Sequence, residues 1–144
     1  LHLISNHPLR RMHSQLDFGG PSQDTKVAGR EPVLLHPDDA ADRDIKDGDV
    51  VRLFNDRGAC LAGAVVTDRI RPGVIRLSTG AWLDPLDAGE IGSLEKHGNP
   101  NVLTVDKGSS KLAQSCIAQT ALVEVERYDE EAPAITAYDR PAMA

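Results

Sequence analysis

Residues 48–66, GDVVRLFNDRGACLAGAVV, decide the fold. Val50–Phe54 and Ala59–Val66 are short apolar runs, and Asn55-Asp56-Arg57-Gly58 between them is made of turn formers. Asn and Asp bond their own backbone in tight turns, and Gly takes strained dihedrals without steric cost. Strand-like runs on either side of such a turn predict a β-hairpin. Working outward, Lys46-Asp47-Gly48-Asp49 is a turn leading into the hairpin, and Arg71-Pro72-Gly73 leads into a strand over Val74–Leu77. Upstream, Leu1–Ser5 reads as a strand halted by Asn6-His7-Pro8, and Val33–Leu35 as a short buried strand. Downstream, Val102–Val105 and Ala121–Glu126 are the last strand candidates. Pro37-Asp38-Asp39-Ala40-Ala41 predicts a helix ending near Arg43 or Asp44. Proline suits the first helical turn, and acidic groups there meet the positive end of the helix dipole. Six or so short strands with one short helix predict an all-β domain, a small closed β-barrel whose closure leaves no open edges.

A chain of 144 residues fits one domain. It is 40% hydrophobic but only 3% aromatic, so the core rests on Val, Leu, Ile and Ala. A formal charge of -6 argues against nucleic acid or an anionic membrane as the main partner. Cys60 and Cys116 stand apart, giving neither a disulfide framework nor a zinc motif. They favour a reducing compartment, so a cytoplasmic setting is expected. A periplasmic one stays open, because a targeting signal would lie outside these residues. No apolar run approaches the roughly 20 residues of a membrane helix, so no membrane insertion is expected. The chain starts at Leu1 without Met, as a fragment of a longer protein would. Residues 129–144, acidic and Pro/Ala-containing, read as a tail beyond a domain spanning 1–128, either a linker or an arm over the surface.

Three polar segments stand out. Ser5, Asn6, His7, Pro8, Arg11, His13, Ser14 and Gln15 offer amide, imidazole, hydroxyl and guanidinium groups with little apolar filler. Such a loop can satisfy a heteroatom-rich ligand, and Arg10 and Arg11 match the oxygens of a diphosphate. A merely solvated loop accounts for the composition at least as well. His97, Gly98 and Asn99 open a stretch where glycine permits close backbone approach and asparagine tolerates left-handed dihedrals. A tight turn explains it too. Gly108 to Gln114, GSSKLAQ, lacks the order of a nucleotide-triphosphate loop. Gln114 is its best-placed residue for bonding a planar ring, and a capped short helix is the plain alternative. There is no HExxH and no His/Cys set at metal spacing. His2 and His36 read as structural or surface residues. Nothing points to catalysis within these residues, and neither a catalytic nor a metal-ligating residue is assigned.

Taken together and in order, LHLISNHP…RMHSQLD, KVAGREPV…HPDDAA, DGDVVRLFNDRG…LAGAVVTD…RPGVIRLSTGAWLDP, HGNPNVLT and GSSKLAQ resemble the C-terminal domain of the dimethyl sulfoxide, trimethylamine N-oxide and biotin sulfoxide reductases. The resemblance covers Leu1 to Tyr128. LISNHP with LDFGG following is nearer the biotin sulfoxide reductase branch. The resemblance implies a six-stranded double-psi β-barrel with one or more short helices. It implies molybdopterin guanine dinucleotide as cofactor, two of which hold one molybdenum in the full enzyme. It also implies S-oxide or N-oxide substrates, the remaining domains of the parent enzyme as partners, and a metal-ligating side chain upstream. Carried over position by position, Ser5, Asn6, His7, Pro8, Arg11, His13, Ser14 and Gln15 match the first cofactor loop, His97, Gly98 and Asn99 the second, and Gln114 the third. Arg11 and the Ser/Gln side chains are then expected on phosphate or pterin atoms.

Three positions depart from the family pattern: Leu83 where Tyr often follows Trp82, Lys111 where Arg is common, and Asp44 where a helix-ending Gly is common. Lys111 cannot reproduce a bidentate Arg contact, and Asp can take the left-handed position at some cost. Two rival readings are a self-processing decarboxylase on the same barrel, for which Gly92-Ser93 and Gly108-Ser109 are the internal candidates, and a free-standing partner-binding barrel.

Overall fold

The hairpin expected at 50–66 is the centre of the sheet. The structure, a computed structural model, describes residues 1–115, 117 and 121–140. Cys116 lies outside the described residues. The strands are β1 (His2–Ile4), β2 (Pro32–Leu35), β3 (Val50–Phe54), β4 (Ala59–Val66), β5 (Val74–Leu77) and β6 (Glu124–Arg127). They form one mixed sheet ordered β1-β5-β2-β4-β3-β6. In the hairpin, Phe54 faces Ala59 and Val50 faces Gly63. Its turn is fixed as the residue types suggest: Asn55 N–H donates to the Gly58 carbonyl at 3.0 Å, and Arg57 N–H to Asn55 Oδ1 at 2.9 Å.

β1·β5 and β2·β4 pair in parallel, and the other pairs are antiparallel. The two edges of the order also meet. Leu3 N–H donates to the Ala121 carbonyl and Val123 N–H to the Leu1 carbonyl, both at 2.9 Å, so the run into β6 lies antiparallel along β1. The sheet therefore curls around an aliphatic core that includes Leu3, Val33, Leu35, Val51, Leu53, Ile75, Leu77, Leu103 and Val125. β3 alternates buried and half-buried residues, as a one-sided strand should, whereas the first six residues of β4 are all buried.

The expected helix is present as α2 (Pro37–Ala41), with α1 (Gly20–Gln23) a second short helix between β1 and β2. His36, read as structural or surface, caps α2: its Nδ1 accepts Asp38 N–H at 3.2 Å. Asp44 sits at φ 52° where the chain leaves α2, the left-handed position expected of it. One strand expectation fails. Pro100–Val102 is a 3-10 turn, because Pro100 occupies its first position and the Asn99 side chain accepts Asn101 N–H. The β-branched residues around it therefore enter no ladder. No helix among the described residues is long and apolar enough to cross a membrane.

Candidate functional site: a polar loop held on one rim of the sheet

The register brings several chain segments to one rim. β1 and β5 run parallel, with Ile4 opposite Arg76, and β2 enters antiparallel beside β5, with Val33 opposite Leu77. The exits of β1 and β5 and the entry to β2 therefore share one end of the sheet. β4 begins beyond that end, since Pro32 pairs only with Gly63. Glu95 takes the place of β2 beside its first residues, with Leu61 N–H donating to the Glu95 carbonyl at 2.7 Å and Glu95 N–H to Ala59 at 3.0 Å.

Under the loop after β1 lies a buried ionic network. Arg11 exposes only 1% of its side chain and meets Glu31 at 3.0 Å and Asp17 at 3.4 Å. Its guanidinium also donates to the His13 carbonyl (3.0 Å), Ser22 Oγ (3.1 Å) and the Thr79 carbonyl (3.1 Å). Lys26 bridges Asp17 at 2.9 Å and Glu31 at 2.8 Å. Two cations thus face two carboxylates, as buried charges require. Burial pulls the Asp17 carboxyl upward, but Lys26, the Trp82 N–H and Arg11 together hold it below its ordinary range.

This network fixes an unusual backbone. His13 and Leu16 are non-glycine residues at φ 51° and 60°. Such dihedrals persist only where the surroundings over-determine them. Here Arg11 grips the His13 carbonyl, Trp82 Nε1 donates to the Ser14 carbonyl at 2.8 Å, and Gly19 N–H donates to Leu16 at 2.9 Å. Gly80, at φ 94°, passes so close that a Cβ there would lie 2.1 Å from the His13 carbonyl oxygen. The loop holds His7, Arg10, His13, Ser14 and Gln15 outward, beside the exposed apolar side chains of Leu9, Met12 and Leu16, and the His7 and His13 rings meet edge-on at 4.1 Å between centroids.

The second segment is organised by Glu95, which no solvent reaches. Its carboxylate accepts four backbone N–H groups, from Asp84 (3.2 Å), His97 (3.1 Å), Gly98 (2.7 Å) and Asn99 (2.7 Å). Burial pushes this carboxyl up to about 7 against the pull of those donors. Gly98 sits at φ 97°, with Glu31 Cβ 2.7 Å from where its own Cβ would be. The Asn99 side chain donates to the Ala81 carbonyl at 2.8 Å. His97 Nδ1 faces the Trp82 carbonyl at 2.9 Å, so this nitrogen carries the hydrogen. Its Nε2 lies 2.9 Å from the Tyr138 hydroxyl. Burial, with the nearby Lys26 charge, lowers the His97 pKa and favours the neutral ring.

The structure thus brings two of the three expected segments together. Ser5 is buried at the exit of β1, and Asn6 accepts from Thr79 N–H (2.9 Å) and Ser78 Oγ (3.1 Å), with half-buried Pro8 following. The segment 97–99 joins this loop through Glu31, whose N–H donates to the His97 carbonyl at 2.9 Å, and through Trp82. Gln114 is not so joined: among the described residues its side chain donates to Ser110 within its own exposed loop, at 2.8 Å. Sequence reasoning missed Asp17, Lys26, Glu31, Gly80, Glu95 and Tyr138. Among the described residues no set of three or more His, Cys, Asp or Glu is placed to hold a metal ion.

The family model described as "Molydopterin dinucleotide binding domain" matches residues 1–122. The chain is 52% identical over 143 residues to trimethylamine-N-oxide reductase of Salmonella typhi, covering 99% of this chain and 17% of that protein. It is 49% identical over 144 residues to dimethyl sulfoxide/trimethylamine N-oxide reductase of Cereibacter sphaeroides, 100% of this chain and 18% of the relative. With biotin sulfoxide reductase of the same organism it shares 51% over 140 residues, 96% of the chain and 18% of the relative. The identities lie too close together to prefer one branch. The chain spans less than a fifth of these relatives. Acetylene hydratase from Pelobacter acetylenicus shares the fold, at TM-score 0.69 and 17% identity over 89% of this chain and 18% of its own. A match over residues 1–122, with relatives near half identity along the whole chain, leaves one conclusion: the chain belongs to the molybdopterin dinucleotide-binding domain family.

Proposed function

We propose that this chain holds molybdopterin guanine dinucleotide within a molybdenum reductase of S-oxides or N-oxides, on a double-psi β-barrel. The observation that carries the reading is the strained polar loop at 5–15, fixed from beneath by a buried ionic network and turned outward with Arg10, His13, Ser14 and Gln15 exposed. This donor set fits the group. Arg10 has no ion pair among the described residues and suits phosphate oxygens, while hydroxyl, amide and imidazole groups suit pterin or guanine edges. Two parallel pairs in a sheet whose edges meet support the double-psi connection. When bound, the cofactor supplies the oxygen-transfer chemistry at molybdenum, and the protein binds and orients it.

The roles then divide. His7, Arg10, His13, Ser14 and Gln15 face the dinucleotide, with Gln114 arriving from its own loop. Arg11, whose donors are occupied within the chain, positions the loop and does not itself hold phosphate. His97, Gly98 and Asn99 are buried and internally bonded, and they brace the loop from the side. The remaining domains of the parent enzyme would supply the metal ligand and substrate path. Removing the Arg10, His13 and Ser14 side chains together in the parent enzyme is expected to lower guanine nucleotide released per chain on acid hydrolysis several-fold. An unchanged yield would contradict the assignment.

A further inference from the structure

Residues 133–138 lie against the same network. Arg30 donates to the Pro133 carbonyl at 2.6 Å, and Lys96 Nζ to Ala134 (3.1 Å) and Thr136 Oγ1 (2.6 Å). Asp84 accepts Thr136 N–H at 2.7 Å and Ala137 N–H at 3.0 Å. At the end of this run Tyr138 reaches inward. Its hydroxyl lies 3.0 Å from Asp17 Oδ2, in the first loop, and 2.9 Å from His97 Nε2, in the second, and it receives a hydrogen bond from Gln23 at 3.0 Å. Its ring packs on Trp82 at 5.5 Å and edge-on to His97 at 5.2 Å between centroids.

Because His97 Nδ1 is committed to a carbonyl, the neutral ring's Nε2 can only accept, and the Tyr138 hydroxyl is the donor beside it. The Asp17 carboxylate likewise can only accept, so the single hydroxyl hydrogen is shared between His97 Nε2 at 2.9 Å and Asp17 Oδ2 at 3.0 Å. We propose that Tyr138 is a positioning residue that latches the loop at 5–17 to the segment at 95–99, so that residues 133–138 form part of the frame holding the dinucleotide. This rests on the reading of the site given above. The latch acts through Asp17 and His97 and makes no claim to touch the cofactor.

The test uses the purified, cofactor-loaded parent enzyme and follows loss of pterin guanine dinucleotide in mild denaturant. Tyr138→Phe keeps the ring and removes the hydroxyl. Ile45→Val, in the core just after α2 and so at the end of β2 opposite the rim, serves as a control of similar thermal destabilisation. Tyr138→Phe is expected to release cofactor roughly tenfold faster than that control, the effect of one buried hydrogen bond lost. Thr136→Val, which loosens the arm while leaving Tyr138 in place, should give a smaller acceleration, and it carries the test alone if Tyr138→Phe does not fold. Release at the control's rate by each variant that folds overturns the inference. A wild-type enzyme without bound pterin guanine dinucleotide would instead overturn the functional reading on which it rests.

Discussion

Glu95 shows how a single side chain can shape a site without facing it. Four buried N–H groups converge on one carboxylate, and three of them belong to the successive residues His97, Gly98 and Asn99. Glu95→Gln puts an amide NH2 where one oxygen accepts, setting donor against donor. It is expected to lower unfolding free energy by about 3 kcal/mol, read from the denaturant midpoint at unchanged slope. Asp44 makes the opposite case. At φ 52° it bears a left-handed strain that glycine does not, so Asp44→Gly should raise stability by about 0.5–1 kcal/mol. A fall in the thermal midpoint would show that an aspartate contact outweighs the strain.

Among elements, the decisive relation is between the loop after β1 and the turn after β5. The backbone of Gly80 is nearly in contact with that of His13, so Gly80→Ala must push the two apart. A stability loss of about 2–4 kcal/mol is expected, together with reduced cofactor content of the parent enzyme. Wild-type content would mean that the loop can move without consequence. The elements are also joined by charge. Asp17 and Asp84 are both raised by burial, yet their hydrogen bonds and the Lys26 and Lys96 charges bring them net below 3.8. Groups whose folded pKa is depressed add stability above their unfolded pKa, and that stability is lost as pH falls through the folded value. Urea midpoints should therefore drop below pH 3.8, and Asp84→Asn should flatten that drop while lowering the midpoint at neutral pH. An equally steep acid drop in Asp84→Asn would remove Asp84 from the account.

Over the whole molecule, what was legible in the amino-acid order is what local chemistry controls. The hairpin and the helix at Pro37 follow from turn formers, proline and short apolar runs, and each appears, while the left-handed Asp44 was pointed out by the family pattern. Val102–Val105 misled because its β-branched residues suggest a strand, while Pro100 and the Asn99 cap impose a turn. The polar loop at 5–15 was visible from composition, but not the inward turn of Arg11, whose Glu31 and Thr79 partners lie far along the chain. Tyr138 left no local signal at all, since its partners are 41 to 121 residues away. The family pattern supplied what local patterns cannot, namely that the loops at 5–15 and 97–99 share one rim, whereas Gln114, which it placed with them, stays in its own exposed loop. The most direct test of that rim as a cofactor wall is amide hydrogen exchange in the parent enzyme, compared with and without bound dinucleotide. Loading is predicted to slow exchange at residues 5–15 and to leave the hairpin of β3 and β4 unchanged. Equal exchange at 5–15 in the two states would contradict the account.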